Sequence, residues 1–214
     1  FNAVEEWGRS KGMTAIVGPL GFTDFDPEGM LTMGFDKLST METIYNYEYY
    51  PQHMEQLGGW VKDNDYVEYY LPMPDKTPEK FAKIAEMIEK RYNLHVRKVT
   101  RKDIRNGYAR ELFKIINETY KDLYGFVSLT ERQIDQYVNT YLPALDLSLV
   151  TVIVDGNKNN KIAGVGITIP SLARAVRKCR RGRLFPFGWW HLLRAVKCHK
   201  TEGVDLLLIG FLPE

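Results

Sequence analysis

A chain of 214 residues with 44% hydrophobic and 26% charged residues and a mean hydropathy of -0.32 has the balance of a folded protein, far from disordered compositions. No apolar run approaches the roughly 20 residues that span a bilayer, and residues 1–12 lack the basic-then-apolar order of a signal peptide. The net charge of +2 conceals a split, since residues 1–155 carry 18 Lys+Arg against 24 Asp+Glu whereas residues 156–201 carry 11 Lys+Arg and no acid.

Phe1, Val4 and Trp7 recur at helical spacing, and Gly12 is placed to end that helix. A strand is expected at Thr14–Val17, stopped by Gly18-Pro19, and residues 22–37 read as a long loop rich in Gly, Asp and Pro. The aromatic segment 45–57, with Pro51 in its first turn and Gly58-Gly59 behind it, predicts a short helix. Tyr66–Met73 is rich in β-favouring residues and predicts a strand. Thr77 followed by Pro78 and Glu79 opens a helix carrying Phe81, Ile84, Ala85 and Ile88.

Leu94–Val99 predicts a strand. Thr100 with Asp103, and Thr130 with Gln133, have the spacing of capping boxes at the starts of two amphipathic helices, and Pro143 bars extension of the second. Strands over 149–154 and 162–169 flank the polar turn 155–160. A basic, aromatic stretch follows, helical over 189–199, and residues 204–212 close the chain as a strand.

From Val96 onward the order is strand, helix, helix, strand, strand, basic insertion and strand, ending in Leu206-Leu207-Leu208-Ile209-Gly210-Phe211-Leu212-Pro213-Glu214. That order and ending resemble the first half of a GNAT acyltransferase, whose fourth strand runs into a Gly- and Arg-rich loop that cradles the coenzyme A pyrophosphate. Residues 1–75, with their helix end at Gly58-Gly59-Trp60, resemble the second half of another such unit. Together they are similar to the middle of a tandem double-GNAT protein, with 76–93 as a connecting helix and 94–214 as the second unit up to its phosphate loop. The resemblance implies an α/β (α+β) fold with a mixed, mostly antiparallel sheet. It also implies acetyl-CoA or another acyl-CoA as cosubstrate, no metal, and a small-molecule or peptide amine as acceptor. Without the loop, residues 1–214 are expected to bind acetyl-CoA weakly or not at all. Two half-sheets with open edges invite self-association, and the expectation is one composite sheet, within the chain or between swapped chains.

The resemblance further implies that Ile209, Gly210, Phe211 and Leu212 present backbone groups to the pantetheine arm. A strand glycine such as Gly210 equally suits close packing. Amide formation needs a base for the amine proton and an acid for the departing thiolate. Met54 stands where family members often carry the tyrosine acid, so Tyr49 and Tyr50 nearby become candidates, with Asp205 as candidate base. Trp189 and Trp190 lie in the insertion that borders the acceptor cleft in the resemblance.

Asp24, Asp26, Glu28 and Gly29 imitate the opening of a calcium loop, but Pro27 intrudes and Phe35 stands where the bidentate Glu belongs. Cys179, His191, Cys198 and His199 match no zinc-finger spacing, and no C-x-x-C pair occurs, which fits reduced thiols in a cytoplasm. The basic aromatic segment 174–200 supports an alternative, noncatalytic role on an anion, a membrane surface or nucleic acid. Its bland reading is a helix whose Trp189, Leu192, Leu193 and Val196 pack inward beneath solvated cations.

Overall fold

The computed structural model of the protein describes residues 1–141, 145–197, 201 and 203–213. Pro143, Cys198, His199, Lys200 and Glu214, which figure in the sequence reading, lie outside them.

The core is built on a four-stranded antiparallel sheet whose spatial order follows the chain: β1 (Leu94–Lys98), β2 (Val150–Asp155), β3 (Lys161–Pro170) and β4 (Val204–Phe211). An antiparallel pair needs only a short turn, and Asp155 supplies it: its Oδ1 accepts from the Asn157 amide at 2.8 Å, and Asn159 and Asn160 take up left-handed φ. Each central strand alternates. Val150, Val152 and Val154 are buried on one side, facing Ile162 and Val165 of β3. Every ladder among the described residues is antiparallel, in keeping with the mostly antiparallel α+β fold expected.

The helix α5 (Tyr108–Tyr120) lies across β3 and β4 and buries Ala109, Leu112, Ile115 and Ile116, an i, i+3, i+6/7 stripe aimed at the valines of β2. The single helix expected after Thr100 is two. Thr100 and Asp103 form the capping box of α4 (Arg101–Arg105), and Gly107, at φ 92°, turns the chain before α5 begins. A side chain at that φ is strained, which makes Gly107 the breakpoint. Thr130 and Gln133 exchange bonds as expected at the start of α6 (Glu131–Tyr141).

Residues 1–93 hold three helices, α1 (Asn2–Ser10), α2 (Tyr49–Leu57) and α3 (Glu79–Tyr92), and no strand. The strands expected at Thr14–Val17 and Tyr66–Met73 are irregular and largely exposed. Both segments have β-favouring side chains but no neighbour to pair with, and strand propensity without a partner does not hold a strand. A composite sheet within one chain is thereby excluded: the sheet is made wholly of residues 94–211. Thr77 does not cap α3, whose N-cap is Pro78 without a side-chain bond.

The insertion between β3 and β4 is a helical hairpin, α7 (Ala173–Lys178) and α8 (Gly188–Lys197), of which the sequence signalled only α8. Among the described residues no helix is long and apolar enough to cross a membrane.

Candidate functional site

The candidates Asp205, Ile209, Gly210 and Phe211 lie on β4, an edge strand whose outer side has no neighbouring strand among the described residues. At its far end the Leu212 amide donates inward to Ala163 O at 2.9 Å. The Ile209 amide points the other way, off the edge, where it donates to the Tyr120 hydroxyl of α5 at 3.1 Å. Alternation then directs the Phe211 amide to the same open side. Ile209 and Phe211 are half-exposed, and the Phe211 ring lies over Gly164 of β3, where an added Cβ would sit 2.3 Å from it.

Gly210 faces the other way. A Cβ there would approach Thr119 Oγ1 to 2.5 Å and Ile116 Cδ1 to 3.4 Å. Thr119 is anchored by its own bond to Ile115 O at 2.9 Å. The missing side chain at 210 is therefore what lets α5 lie close against β4, the packing alternative of the two the sequence left open.

Beyond Leu212 a groove of about 370 Å³ opens at the N-terminal half of α5, lined by Tyr108, Glu111, Lys114, Ile115, Lys161 and Leu212 among others. Lys114 pairs with Glu111 at 3.2 Å. The Tyr108 hydroxyl is buried without a hydrogen-bond partner among the described residues, while Arg97 lies over its ring, 4.7 Å from the centroid. Burial holds this phenol above the usual tyrosine range, so it remains a proton donor. Lys161 and the Glu111-paired Lys114 give the groove two ammonium groups that can meet an anionic ligand end.

Asp205, near the other end of β4 opposite Ile169, has Oδ2 buried and without a hydrogen-bond partner among the described residues. Its neighbour is Glu42, brought in by the loop before α2. Desolvation of the Glu42 carboxyl and the adjacent Asp205 charge raise the Glu42 pKa, although the residue as a whole keeps solvent contact. Four residues of strand separate Asp205 from Ile209, about 13 Å.

The other candidates stand apart from one another. Tyr49 and Tyr50 open α2, stacked at 4.7 Å in an exposed aromatic group with Tyr47 and His53. The Tyr49 pKa is raised, first by its hydrogen bond to Tyr50. Trp189 and Trp190 meet edge to face at 5.8 Å at the start of α8. The buried face of that helix is Gly188 and Ala195 with Leu192 and Val196 beside them, while Trp189 and Leu193 are exposed, so the inward stripe expected from the sequence is rotated.

In the acidic loop, Asp26 Oδ2 accepts from the Phe22 and Thr23 amides at 2.9 and 3.1 Å, a backbone-fixing role. Among the described residues no group of three or more His, Cys, Asp or Glu could hold a metal ion. Glu42, Tyr108 and Tyr120 were not singled out in the sequence. Tyr108 and Tyr120 carry a signal there, as aromatic residues bounding the α5 stripe; Glu42 lies in an aperiodic loop and carries none.

No protein-family model matches the chain, and no solved structure matches it significantly. It is similar to the bacterial ceramide synthase of Caulobacter vibrioides (strain NA1000 / CB15N), 29% identical over 214 residues that cover 98% of this chain and 53% of that protein. It is also similar to protein YghO of Escherichia coli (strain K12), 29% identical over 219 residues, 98% of this chain and 52% of that protein. The chain spans about half the length of the curated relatives it matches.

Proposed function

We propose that the chain belongs to an N-acyltransferase that moves an acyl group from an acyl-CoA to the primary amine of a long-chain base. The carrying observation is the similarity, along 98% of the chain, to a protein named for ceramide synthesis. Ceramide is an amide of a fatty acid and a long-chain amino alcohol, so its formation is N-acylation. In the same reading the sheet of residues 94–211 is the first half of a GNAT-like unit, residues 1–75 are the second half of a preceding one, and 76–93 join them.

The chain's own groups supply three parts of that chemistry. The open edge of β4 offers the backbone of Phe211 to an extended amide-bearing arm, as an added strand would use it, beside the Ile209 amide that Tyr120 holds. The groove at Leu212 offers Lys114 and Lys161 to phosphates. Asp205, reaching through water, takes the proton released as the amine nitrogen bonds to the thioester carbonyl carbon, the C–S bond breaks and the thiolate leaves to be protonated. Tyr49 and Tyr50 stack in an aromatic group of their own.

The test is to incubate the full-length protein with a sphingoid base and either acetyl-CoA or a long-chain acyl-CoA, following free thiol and N-acyl product by mass spectrometry. The expected result is equimolar amide and thiol, with Asp205→Asn slowing turnover about 100-fold at unchanged acyl-CoA affinity. A folded protein that forms no amide with either donor overturns the reading.

A further inference from the structure

The hairpin between β3 and β4 presents a surface that the acyl-transfer chemistry does not use. We infer that it docks on a bilayer bearing anionic lipid headgroups, placing the Asp205 end of β4 at the membrane surface.

Four observations carry this. Leu184, Phe185, Phe187, Trp190 and Leu193 are all exposed, with Phe185 and Phe187 at 77% and 71%. They occupy the turn into α8 and one stripe of that helix, a contiguous apolar tip of the kind a soluble surface seldom displays. Around the tip stand Arg177, Lys178, Arg180, Arg181, Arg183 and Arg194, in a stretch, 156–201, that contains no Asp or Glu at all. Cations flanking exposed aromatic and aliphatic side chains match a headgroup layer over acyl chains, with the long basic side chains reaching the phosphates.

The tip is held rigidly. An added Cβ on Gly188 would fall 2.2 Å from Arg183 O, so the start of α8 sits directly on the preceding turn. The Cys179 thiol is buried beneath it, 3.4 Å from both Ala175 O and Gly188 O. Trp189 Nε1 donates to Pro186 O at 3.0 Å. Ordering costs on docking are correspondingly small. The position fits as well: Ser171 N donates to Gly203 O at 3.0 Å, closing the base of the hairpin directly before Val204 and Asp205.

The same charge would suit nucleic acid, but the apolar groups favour lipid. Trp189 and Trp190 are packed edge to face at 77° rather than set out as parallel platforms for bases, and Leu184 and Leu193 offer no stacking face.

Co-sedimentation of the full chain with vesicles of phosphatidylcholine, with and without phosphatidylglycerol, reads the proposal without turnover, so its failure is distinct from a failure of acyl transfer. Binding is expected only to the anionic vesicles and is weakened by salt. Replacing Phe185, Phe187 and Trp190 together by Ser should lower vesicle affinity at least ~10-fold. Replacing Arg180, Arg181 and Arg183 by Gln should lower it about fivefold per charge at low salt. A second reading needs no change at the tip: with Trp7→Phe and Trp60→Phe in place, brominated lipid should quench the fluorescence of Trp189 and Trp190. Absence of vesicle binding, full binding by the folded aromatic variant, unquenched fluorescence in the bound state, or preference for a duplex or single-stranded oligonucleotide over anionic vesicles overturns the inference.

Discussion

Residues 1–93 and 94–213 are of similar length and similar apolar content, yet one is organised by its surface and the other by its interior. In the second region α5 and the sheet bury a continuous set of aliphatic side chains, from Val99 to Val165. In the first, only Gly8 and Thr23 are buried. Its order comes from local polar bonds, such as Asn46 Oδ1 accepting from the Leu31 amide at 2.7 Å, and from ring contacts such as Phe1 on Trp60 at 5.2 Å. Threads that join the regions include Asn93 and Tyr92 bonded to the turn at Gly156 and Asn157, Phe25 against Phe113 and Tyr137, the Tyr124 hydroxyl on Asp63, and Glu42 beside Asp205. An amphipathic pattern alone therefore does not create a core. The apolar residues Phe81, Ile84, Met87 and Ile88 of α3 have good helical spacing but remain exposed, because no second layer covers them.

The sharpest way to break this contrast is to remove one isoleucine from each region. Ile116→Ala, at a position 1% exposed, should cost about 2–5 kcal/mol of unfolding free energy. Ile84→Ala in α3 should change it by less than about 0.5 kcal/mol. Urea titration followed by circular dichroism checks both. Equal losses would mean that the α3 stripe is covered in solution.

A smaller effect separates the two meanings of a strand glycine. Gly210→Ala drives a methyl group onto Thr119 Oγ1 and should cost about 1–3 kcal/mol. Thr119→Ala in the same chain should return most of it, a coupling that a double-mutant cycle measures. If Gly210→Ala is instead fully stable and loses only acyl-CoA affinity, the glycine serves ligand approach and not helix packing.

What the sequence disclosed follows from the same contrast. Where an element is fixed by alternation against a partner or by a cap, it was readable: the valines of β2, the box of Thr100 and Asp103, and the asparagine turn into β3. The Thr14–Val17 and Tyr66–Met73 segments misled because β-favouring side chains say nothing about whether a neighbouring strand exists. Within the candidate site, the strand that carries Asp205 and Ile209 to Phe211 was legible. Glu42 was not, since its meaning arises only when a loop of no periodic pattern meets β4, some 160 residues later in the chain. Tyr120 lay in plain helical spacing, but its bond to the Ile209 amide depends on where α5 crosses the sheet.

The smallest expected effect tests the Glu42–Asp205 contact. Desolvation, and then the Asp205 charge, raise the pKa of Glu42 above the ordinary value of 4.5, so the folded protein holds this proton at pH values where the unfolded chain has lost it. Between those two values the folded state binds more protons, and stability falls as pH rises, levelling off above the folded value. Glu42→Gln abolishes that slope. The variant should match the parent at pH below the ordinary value and exceed it modestly at neutral pH, the effect being limited by the solvent that reaches Glu42. Asp205→Asn should reduce the benefit of Glu42→Gln, because the charge it relieves is then gone, and the two changes should be less than additive. Denaturant unfolding across the acid-to-neutral range measures all four proteins. A Glu42→Gln benefit that is constant with pH, or strictly additive with Asp205→Asn, would show that the two carboxyls do not interact and would sever this link between the exposed region and the buried one.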